Sequence, residues 1–284
     1  MAVKIIKTVR EMHRAADRIR QAGLRIGLVP TMGYLHEGHL SLVRQALKVT
    51  DRVVVSIFVN PLQFGPTEDL AAYPRDIERD LELIDQHGVH LAYLPDEKEI
   101  YPGDFATSVR VAKLTERLCG ARRPGHFEGV TTIVTKLFAA VKPHVAIFGQ
   151  KDAQQTIVIQ RMVRDLNLDM EIQMAPTVRE ADGLAMSSRN AYLSAEERRE
   201  APALYRALMV GEKMIARGER RAQKVIEAMR DVIEPQRSAK IDYIEAVDAQ
   251  DLTPAAELKD SILLAVAVRF GNARLIDNAL VRVK

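Results

Sequence analysis

Two histidines lie three residues apart in the segment 27–42, which reads GLVPTMGYLHEGHLSL. The apolar residues 26–29 predict a short strand and residues 40–48 predict a helix, so that His36 and His39 come just before the helix. The N-terminus of a helix presents backbone N–H groups and the positive end of the helix dipole, which together bind anions. Because two imidazoles at this spacing can share one face of a helical turn, the segment predicts a phosphate site.

Two further polar turns follow predicted strands. NPLQF comes after the apolar run 52–59, and FGQKDAQQ begins at the end of the apolar run 145–148. Ligands of open α/β sheets bind beyond the carboxyl ends of the strands. We therefore expect all three turns to meet at one edge of a sheet and to form one site there.

Predicted strands and helices alternate from the first residues to about Pro176. This alternation favours parallel strands joined by helical crossovers. We predict an α/β protein whose domain 1–176 is a Rossmann-like, doubly wound parallel sheet. Residues 107–111 predict a further strand of this domain.

The pattern changes after Pro176. Residues 194–217 and 220–233 predict helices, and three apolar runs follow that predict strands. The last two runs, 261–268 and 273–281, are joined by a short turn, which is typical of an antiparallel hairpin. We therefore expect a smaller C-terminal α+β domain, 177–284, and interpret it as a lid over the active site.

Composition indicates a globular protein, with 47% hydrophobic and 28% charged residues. The net charge of +3 fits small anionic substrates and does not by itself indicate nucleic acid. Cys119 is the only cysteine, so an intrachain disulfide is excluded and a reducing, cytoplasmic location is expected. The sequence shows neither an N-terminal run typical of a signal peptide nor 18 consecutive apolar residues, so we expect no membrane span.

Six motifs together resemble the pantoate–β-alanine ligases, or pantothenate synthetases, almost from end to end of the chain. They are PTMGYLHEGHLSL, SIFVNPLQF, AAYPRD, RRPGHFEGVTTIV, KLFAAVKPHVAIFGQKDAQQ and DGLAMSSRNAYL. The first is also similar to the HxGH signature of nucleotidyltransferases and class I aminoacyl-tRNA synthetases. HxGH alone has limited specificity, whereas HxGH followed in order by PxQF, FGxKDxQQ and SSRN indicates this one family.

The resemblance implies a reaction in two steps. The carboxylate of (R)-pantoate attacks the α-phosphate of ATP to give pantoyl adenylate and pyrophosphate, and the amine of β-alanine then displaces AMP. Mg²⁺ accompanies the nucleotide. The resemblance also implies a cytoplasmic homodimer that has small-molecule substrates and neither nucleic acid nor membrane as a partner.

The resemblance further implies which residues bind and react. The catalytic residues that it implies are His36, His39, Lys151 and Arg189, with His39 at the position of a proton donor. The residues implied for ATP binding are Met32, Gly33, Tyr34, Leu35, His36, Glu37, Gly38, His39, Gly149, Gln150, Lys151, Asp152, Val178, Met186, Ser187, Ser188 and Arg189. The residues implied for binding pantoate and β-alanine are Gln63 and Gln155. The metal ligands stay open, and Gln150 stands where many relatives have Glu.

Several assignments keep an alternative. The histidine pair could be a surface pair or a helix cap, and Asp152 could be only an N-cap. Arg123 and His126 could line the pocket or form a basic surface turn. Asp80 could bind Mg²⁺ through water, but a single charge on a solvated helix face is the favoured interpretation.

Two other functions remain as rivals. A nucleotidyltransferase of the same superfamily would need a basic pocket for a phosphate-bearing acceptor, and the glutamines of NPLQF and DAQQ argue against it. A nucleotide sensor or RNA-binding relative of the synthetases would need a basic stripe or an anticodon-type module. The last hundred residues show neither.

Overall fold

The computed structural model of the protein describes residues 2–66 and 68–283. The chain forms two compact units. The first unit consists of the chain up to Thr115, Gly120–Gly149 and Gln155–Pro176. The second unit consists of Glu116–Cys119, Gln150–Gln154 and the chain from Thr177 onward. Two short segments that the sequence places before residue 176 thus belong to the second unit.

The first unit is built on a six-stranded sheet in which every pair of neighbouring strands is parallel. Its strands are β1 (Lys4–Ile6), β2 (Ile26–Thr31), β3 (Arg52–Ile57), β4 (Leu91–Tyr93), β5 (Val145–Gly149) and β6 (Glu171–Ala175). The helices before β6 are α1 (Val9–Gln21), α2 (Glu37–Val49), α3 (Ile77–Gln86), α4 (Glu97–Ile100), α5 (Cys119–Arg122), α6 (His126–Val141) and α7 (Ala153–Asp165).

The strand order is β1-β4-β3-β2-β5-β6. From β2 the chain winds through α2 to β3, and from β5 it winds through α7 to β6, in the opposite direction along the sheet. The carboxyl ends of β2 and β5 therefore mark the topological switch point, where doubly wound sheets bind their ligands. This confirms the predicted α/β fold.

The central strands are apolar on both faces because helices cover both faces of a parallel sheet. Leu28 and Val29 of β2, and Val54 and Val55 of β3, have no exposed surface. The strand predicted at residues 107–111, which the structure describes, is not formed. The Val109 N–H instead donates to the Thr132 hydroxyl on α6. A side chain thus provides the hydrogen-bond partner that a neighbouring strand would otherwise provide.

The second unit contains an antiparallel sheet of order β7-β8-β9. Its strands are β7 (Ala239–Asp248), β8 (Ser261–Phe270) and β9 (Ala273–Arg282), and its helices are α8 (Ala195–Glu200), α9 (Ala203–Ala216) and α10 (Ala222–Ile233). The single helix predicted at residues 194–217 is two helices, α8 and α9, separated at Pro202, which has no N–H to donate. Within residues 2–66 and 68–283, no helix is both long and apolar enough to cross a membrane.

Close packing joins α9 to α10 and to the sheet of the second unit. A Cβ at Gly211 on α9 would lie 2.8 Å from Leu264 on β8 and 2.9 Å from the sulfur of Met229 on α10. Leu264 and Met229 are fully buried. A larger residue at this position would therefore force Leu264 and Met229 to move within the packed core.

Candidate active site

The histidine turn, residues 32–39, connects β2 to α2. Gly33 has a φ of 82°, a conformation that glycine adopts without strain. Helix α2 begins at Glu37, with His36 as its N-cap and His39 in its first turn. Because the helix begins three residues before the predicted position 40, both histidines lie at its positive end.

The rings of His36 and His39 are in contact, with centroids 4.1 Å apart. His36 Nδ1 accepts a hydrogen bond from the Gly38 N–H at 3.1 Å, and His39 Nδ1 accepts one from the His36 N–H at 3.3 Å. A nitrogen that accepts carries no proton, so each neutral ring has its proton on Nε2. The cap uses Nδ1 and sets Nε2–H as the ring donor, so capping and phosphate donation are compatible.

Asp80 of α3 holds the histidine turn in place. Its side chain has no exposed surface, and its carboxylate accepts hydrogen bonds from the Tyr34 and Leu35 N–H groups, each at 2.7 Å. A Cβ at Gly33 would lie 3.0 Å from Asp80 Oδ2. Burial raises the pKa of the Asp80 carboxyl, while the two backbone donors act in the opposite direction.

The favoured interpretation of Asp80 as a charge on a solvated helix face is therefore wrong. Both carboxylate oxygens are engaged by backbone N–H groups, and Arg79 lies 3.9 Å away. The Arg79 guanidinium also donates to the Leu35 carbonyl at 3.1 Å. Asp80 and Arg79 thus bind both the N–H and the C=O groups of the histidine turn.

Gln63 lies in a 3₁₀ turn that follows β3. Its side-chain oxygen accepts from Asn60 Nδ2 at 3.1 Å, and its Nε2 lies 3.1 Å from the sulfur of Met32. The structure thus brings the predicted pantoate ligand beside the histidine turn. Asn60 is buried and also donates to the Gly129 carbonyl at 3.0 Å, which ties this turn to α6.

Arg123 and His126 fix the backbone of Gln63. His126 Nδ1 donates to the Gln63 carbonyl at 2.8 Å, and Arg123 donates to the same oxygen at 3.3 Å. Arg123 also forms a bidentate pair with Glu68, at 2.6 and 2.5 Å. Burial opposes ionisation of Glu68, but the hydrogen bonds and charge of Arg123 outweigh burial and lower the pKa of this carboxyl to about 2. These contacts fit neither a basic surface turn nor a pair that only lines a pocket.

Gly149 and Gln155 lie on either side of the start of α7. Gly149 is the last residue of β5, opposite Ala175 of β6. Gln155 is half-buried in the first turn of α7. Because β5 is the parallel neighbour of β2, Gly149 and the histidine turn lie at the carboxyl ends of adjacent strands. The contact of Gln155 with pantoate stays a prediction.

Another group of predicted ATP residues belongs to the second unit. Lys151 is the middle residue of a 3₁₀ turn, and its Nζ lies 3.8 Å from Asp152 Oδ2. Lys151 and Ser187 lie on the wall of the same cavity. The cavity is lined by Lys151, Ala185, Ser187, Asn190, Leu275 and Asp277.

A hairpin brings the last predicted segment together. The Met186 N–H donates to the Val178 carbonyl at 3.0 Å. Ser187 is the N-cap of a 3₁₀ helix that begins at Ser188, and its hydroxyl accepts from the Arg189 N–H at 3.3 Å. Val178 and the segment 186–189, which are all predicted to bind ATP, are therefore joined by a direct hydrogen bond.

The described residues contain no group of three or more His, Cys, Asp or Glu side chains that could hold a metal ion. Mg²⁺ in nucleotide sites is bound mainly by phosphate oxygens and water, with one or two carboxylates. Asp152, whose Oδ2 lies 3.8 Å from Lys151 Nζ, is one carboxylate in this part of the chain. The residues therefore fit a Mg²⁺ ion that arrives with ATP and do not fit a resident metal held by the protein alone.

The sequence alone did not single out Asn60 and led to a wrong assignment of Asp80. Both are buried polar residues whose partners lie far away in the chain, 69 residues for Asn60 and about 45 for Asp80. The local signal for Asn60 is Asn-Pro directly after an apolar strand. Asp80 lies in an amphipathic helix that also exposes other acidic residues, and nothing in the local pattern distinguishes it from them.

Comparisons with known proteins agree with this geometry. The family model for pantoate-beta-alanine ligase matches residues 4–280. The pantothenate synthetase of Thermotoga petrophila is 54% identical over 98% of this chain and 99% of the relative. That of Acetivibrio thermocellus is 53% identical over 99% of this chain and all of the relative.

Solved structures give the same result. Pantothenate synthetase from Thermus thermophilus matches with a TM-score of 0.93 and 46% identity, over 98% of this chain and 99% of that one. Pantoate-beta-alanine ligase from Francisella tularensis, complexed with beta-gamma ATP and beta-alanine, matches with a TM-score of 0.79 and 33% identity over 98% of each chain. Sequence and fold agree over nearly the whole length, and the chain therefore belongs to the pantoate-beta-alanine ligase family.

Proposed function

We propose that this protein is an AMP-forming ligase that condenses (R)-pantoate with β-alanine to pantothenate through a pantoyl adenylate. One observation carries the proposal. The Gln63 side-chain amide nitrogen lies 3.1 Å from the sulfur of Met32, which belongs to the histidine turn. A group suited to a hydroxy acid and a group suited to a phosphate are thereby brought to one edge of the sheet.

The chemistry needs no nucleophile from the protein. A carboxylate oxygen of pantoate attacks the α-phosphorus of ATP, and the bond to the bridging oxygen of pyrophosphate breaks. The amine nitrogen of β-alanine then attacks the acyl carbon, AMP leaves with the bridging oxygen, and the amine proton passes to solvent. The protein therefore accelerates the reaction by orienting the substrates and by stabilising charge on the phosphates.

We assign the phosphate contacts to two sets of residues. In the first unit, His36 and His39 donate from Nε2–H, and the backbone at Gly33 lies close to the nucleotide. In the second unit, Lys151 and Arg189 supply positive charge, and Ser187 supplies a hydroxyl. Lys and Arg form short, charge-assisted hydrogen bonds with phosphate oxygens. The remaining proposed ATP contacts are Met32, Tyr34, Leu35, Glu37, Gly38, Gly149, Gln150, Asp152, Val178, Met186 and Ser188.

We assign pantoate to Gln63 and Gln155. A side-chain amide can donate to a carboxylate and accept from a hydroxyl. Unlike an arginine, it adds no positive charge that would hold the carboxylate oxygen away from the α-phosphorus. The contacts of Arg123 and His126 with the Gln63 carbonyl support the proposal, because they fix the position of the amide.

Mg²⁺ is proposed to bind with the nucleotide, and we assign Asp152 as a carboxylate that approaches it. The ion would reduce the negative charge of the triphosphate. A cytoplasmic homodimer is proposed from family resemblance, and sedimentation of the purified protein would test the dimer. Small molecules are the proposed partners.

Transfer of an oxygen isotope tests the chemistry. Pantoate labelled with ¹⁸O in its carboxylate should transfer one label to the phosphate of AMP, because the attacking oxygen becomes the bridging oxygen of the adenylate. Mass spectrometry of AMP and pyrophosphate gives the result. Label in inorganic phosphate, with ADP as product, would instead show attack at the γ-phosphorus and contradict an adenylate.

A further inference from the structure

Two adjacent polar residues, Asp277 and Asn278, are buried in an otherwise apolar stretch of β9, residues 275–281. Their exposed fractions are 3% and 5%. Burying polar side chains is unfavourable unless they are hydrogen-bonded. The sequence around them, LIDNALV, is apolar. Their hydrogen-bond partners therefore indicate why a carboxylate and an amide are buried here.

Asn278 binds the turn that carries Lys151. Its Nδ2 donates to the Gln150 carbonyl at 2.8 Å and to the Lys151 carbonyl at 2.9 Å. The two N–H bonds of one amide thus match two successive carbonyls. An aspartate at this position would place negative oxygen against the same two carbonyls, so the site selects an amide over the nearly isosteric carboxylate.

Asp277 binds the hairpin that carries Val178. Its carboxylate forms a bidentate pair with Arg179, at 2.6 and 3.0 Å. Arg179 also donates to the Gly183 carbonyl at 3.1 Å, on the opposite side of the hairpin, and lies 4.3 Å from the centre of the Tyr205 ring. Asp277 therefore fixes the hairpin through an arginine that spans it.

The two sets of contacts are connected. The Asn278 N–H donates to Asp277 Oδ1 at 2.8 Å, and Asp277 itself lines the cavity with Lys151 and Ser187. One dipeptide thus holds the lysine turn on one side and the hairpin leading to Ser187 on the other. Every one of these contacts lies within the second unit.

We infer that Asp277 and Asn278 are positioning residues for ATP, which set the distance between Lys151 and the loop that begins at Ser187. The inference rests on the proposed function, in which Lys151 and Ser187 bind the phosphates. A displacement of about 1 Å in a binding group can change a rate about 100-fold. The pair would therefore affect nucleotide binding without contacting the nucleotide.

The test compares Asn278→Asp with Asn272→Asp. Asn272 is exposed in the turn between β8 and β9, so the control makes the same change of charge in the same hairpin. Titration calorimetry measures ATP binding without pantoate or β-alanine, and circular dichroism confirms folding. Steady-state assays then give KM for ATP and for pantoate separately. Asn278→Ser, which keeps one donor and adds no charge, is the second variant in case the first does not fold.

We expect Asn278→Asp to weaken ATP binding at least about ten-fold, which corresponds to about 1.4 kcal/mol. Asn278→Ser should weaken it by a smaller factor. The KM for pantoate should change less than about two-fold in both, and Asn272→Asp should match the wild type. A general loss of structure would raise both KM values, so the difference between them identifies positioning.

Wild-type ATP affinity in folded Asn278→Asp and Asn278→Ser would overturn the inference. Equal increases of both KM values would overturn it as well. If the wild-type protein binds ATP but releases no pyrophosphate with pantoate, the proposed function fails, while weaker ATP binding by the variants would still support the positioning role. If the wild-type protein binds no ATP, both fail.

Discussion

At the scale of single residues, the histidine turn shows how one side chain can serve structure and chemistry. His36 and His39 each use Nδ1 to accept a backbone N–H of the turn or of the first helical residues. This fixes both the orientation of the ring and the nitrogen that carries the proton. The proposed phosphate donors are therefore oriented before the nucleotide binds, which is the arrangement that electrostatic catalysis requires.

Replacing His39 with alanine should lower the rate of adenylate formation about 100-fold, because one oriented donor to the phosphate is lost. Binding of pantoate should be little affected, since its proposed ligands are elsewhere. Single-turnover quench experiments with ATP and pantoate measure the rate. His13→Ala on α1 is the control and should keep the wild-type rate. Near-normal adenylate formation by His39→Ala would exclude the assigned role.

Asp80→Asn should destabilise the protein by about 1–3 kcal/mol, because an amide cannot accept from both backbone N–H groups as the carboxylate does and would leave one unpaired. Urea unfolding measures the change. Asp76→Asn is a matched control at the exposed N-cap of the same helix, where asparagine caps as well as aspartate. Equal stability of the two variants would show that the buried carboxylate is unimportant.

The Glu68–Arg123 pair predicts a dependence of stability on acid. The pKa of Glu68 is lowered from 4.5 to about 2, so the folded state favours the ionised form. The pair therefore stabilises the protein fully above about pH 4.5, and this contribution decreases as the pH falls toward 2. The free energy of unfolding of the wild type should exceed that of Glu68→Gln at pH 6, and the difference should decrease by pH 3.

The decrease of stability in acid should be lost or reversed when Arg123 is replaced by alanine, because burial, which opposes ionisation of Glu68, then acts without the positive partner. Urea unfolding at pH 6, 4 and 3 for the four proteins of this double-mutant cycle provides the measurement. A difference between wild type and Glu68→Gln that stays constant with pH would contradict the ion pair.

At the scale of elements, the sequence predicts the alternation of strands and helices because each period of apolar residues is local. The order of the strands in the sheet was not predicted and is given by the structure. Pro202 could have predicted the break between α8 and α9. The apolar pattern, which continues through residues 194–217, instead favoured a single helix. The sequence could not predict that residues 107–111 form no strand, because the partner of the Val109 N–H is a threonine on α6, distant in the chain.

The residues of the candidate site also fall into those that the sequence predicts and those that only the structure identifies. The histidine pair, the two glutamines and the loop 187–189 are recognisable because each lies within a short motif of the chain. Asp80, Asn60 and the Asp277–Asn278 pair act through contacts between distant segments. Such contacts leave no local pattern beyond a polar residue among apolar ones, so only the three-dimensional structure identifies them.

Gly129→Ala should raise the KM for pantoate and destabilise the protein by about 1–3 kcal/mol, as overpacking does. A Cβ at Gly129 on α6 would lie 2.3 Å from the Leu62 carbonyl and 2.6 Å from the Gln63 nitrogen, so the turn that carries Gln63 must move. Steady-state kinetics and urea unfolding measure both effects.

Gly103→Ala is the control for this prediction, because a Cβ at Gly103 would have open space and the backbone is not in the left-handed region. It should leave the KM for pantoate unchanged and keep or slightly raise stability. If Gly129→Ala kept the wild-type KM for pantoate, the close packing of α6 against the Gln63 turn would be unimportant for substrate binding, and the prediction would be wrong.

At the scale of the whole molecule, the proposed reaction draws on residues of both units. In this proposal the first unit supplies the histidine turn and Gln63, and the second supplies Lys151 and the loop 187–189. The interpretation of the C-terminal domain as a lid stays a prediction. Adenylation must precede the attack of the amine on the acyl carbon if pantoate is to be activated as an adenylate.

The release of pyrophosphate tests this central claim most directly. The purified protein with ATP and Mg²⁺ should release pyrophosphate when pantoate is added, without β-alanine, in an amount close to that of the enzyme. Addition of β-alanine should then release AMP and allow further turnover. Release of pyrophosphate in the absence of pantoate, or a requirement for β-alanine before any pyrophosphate appears, would contradict the account.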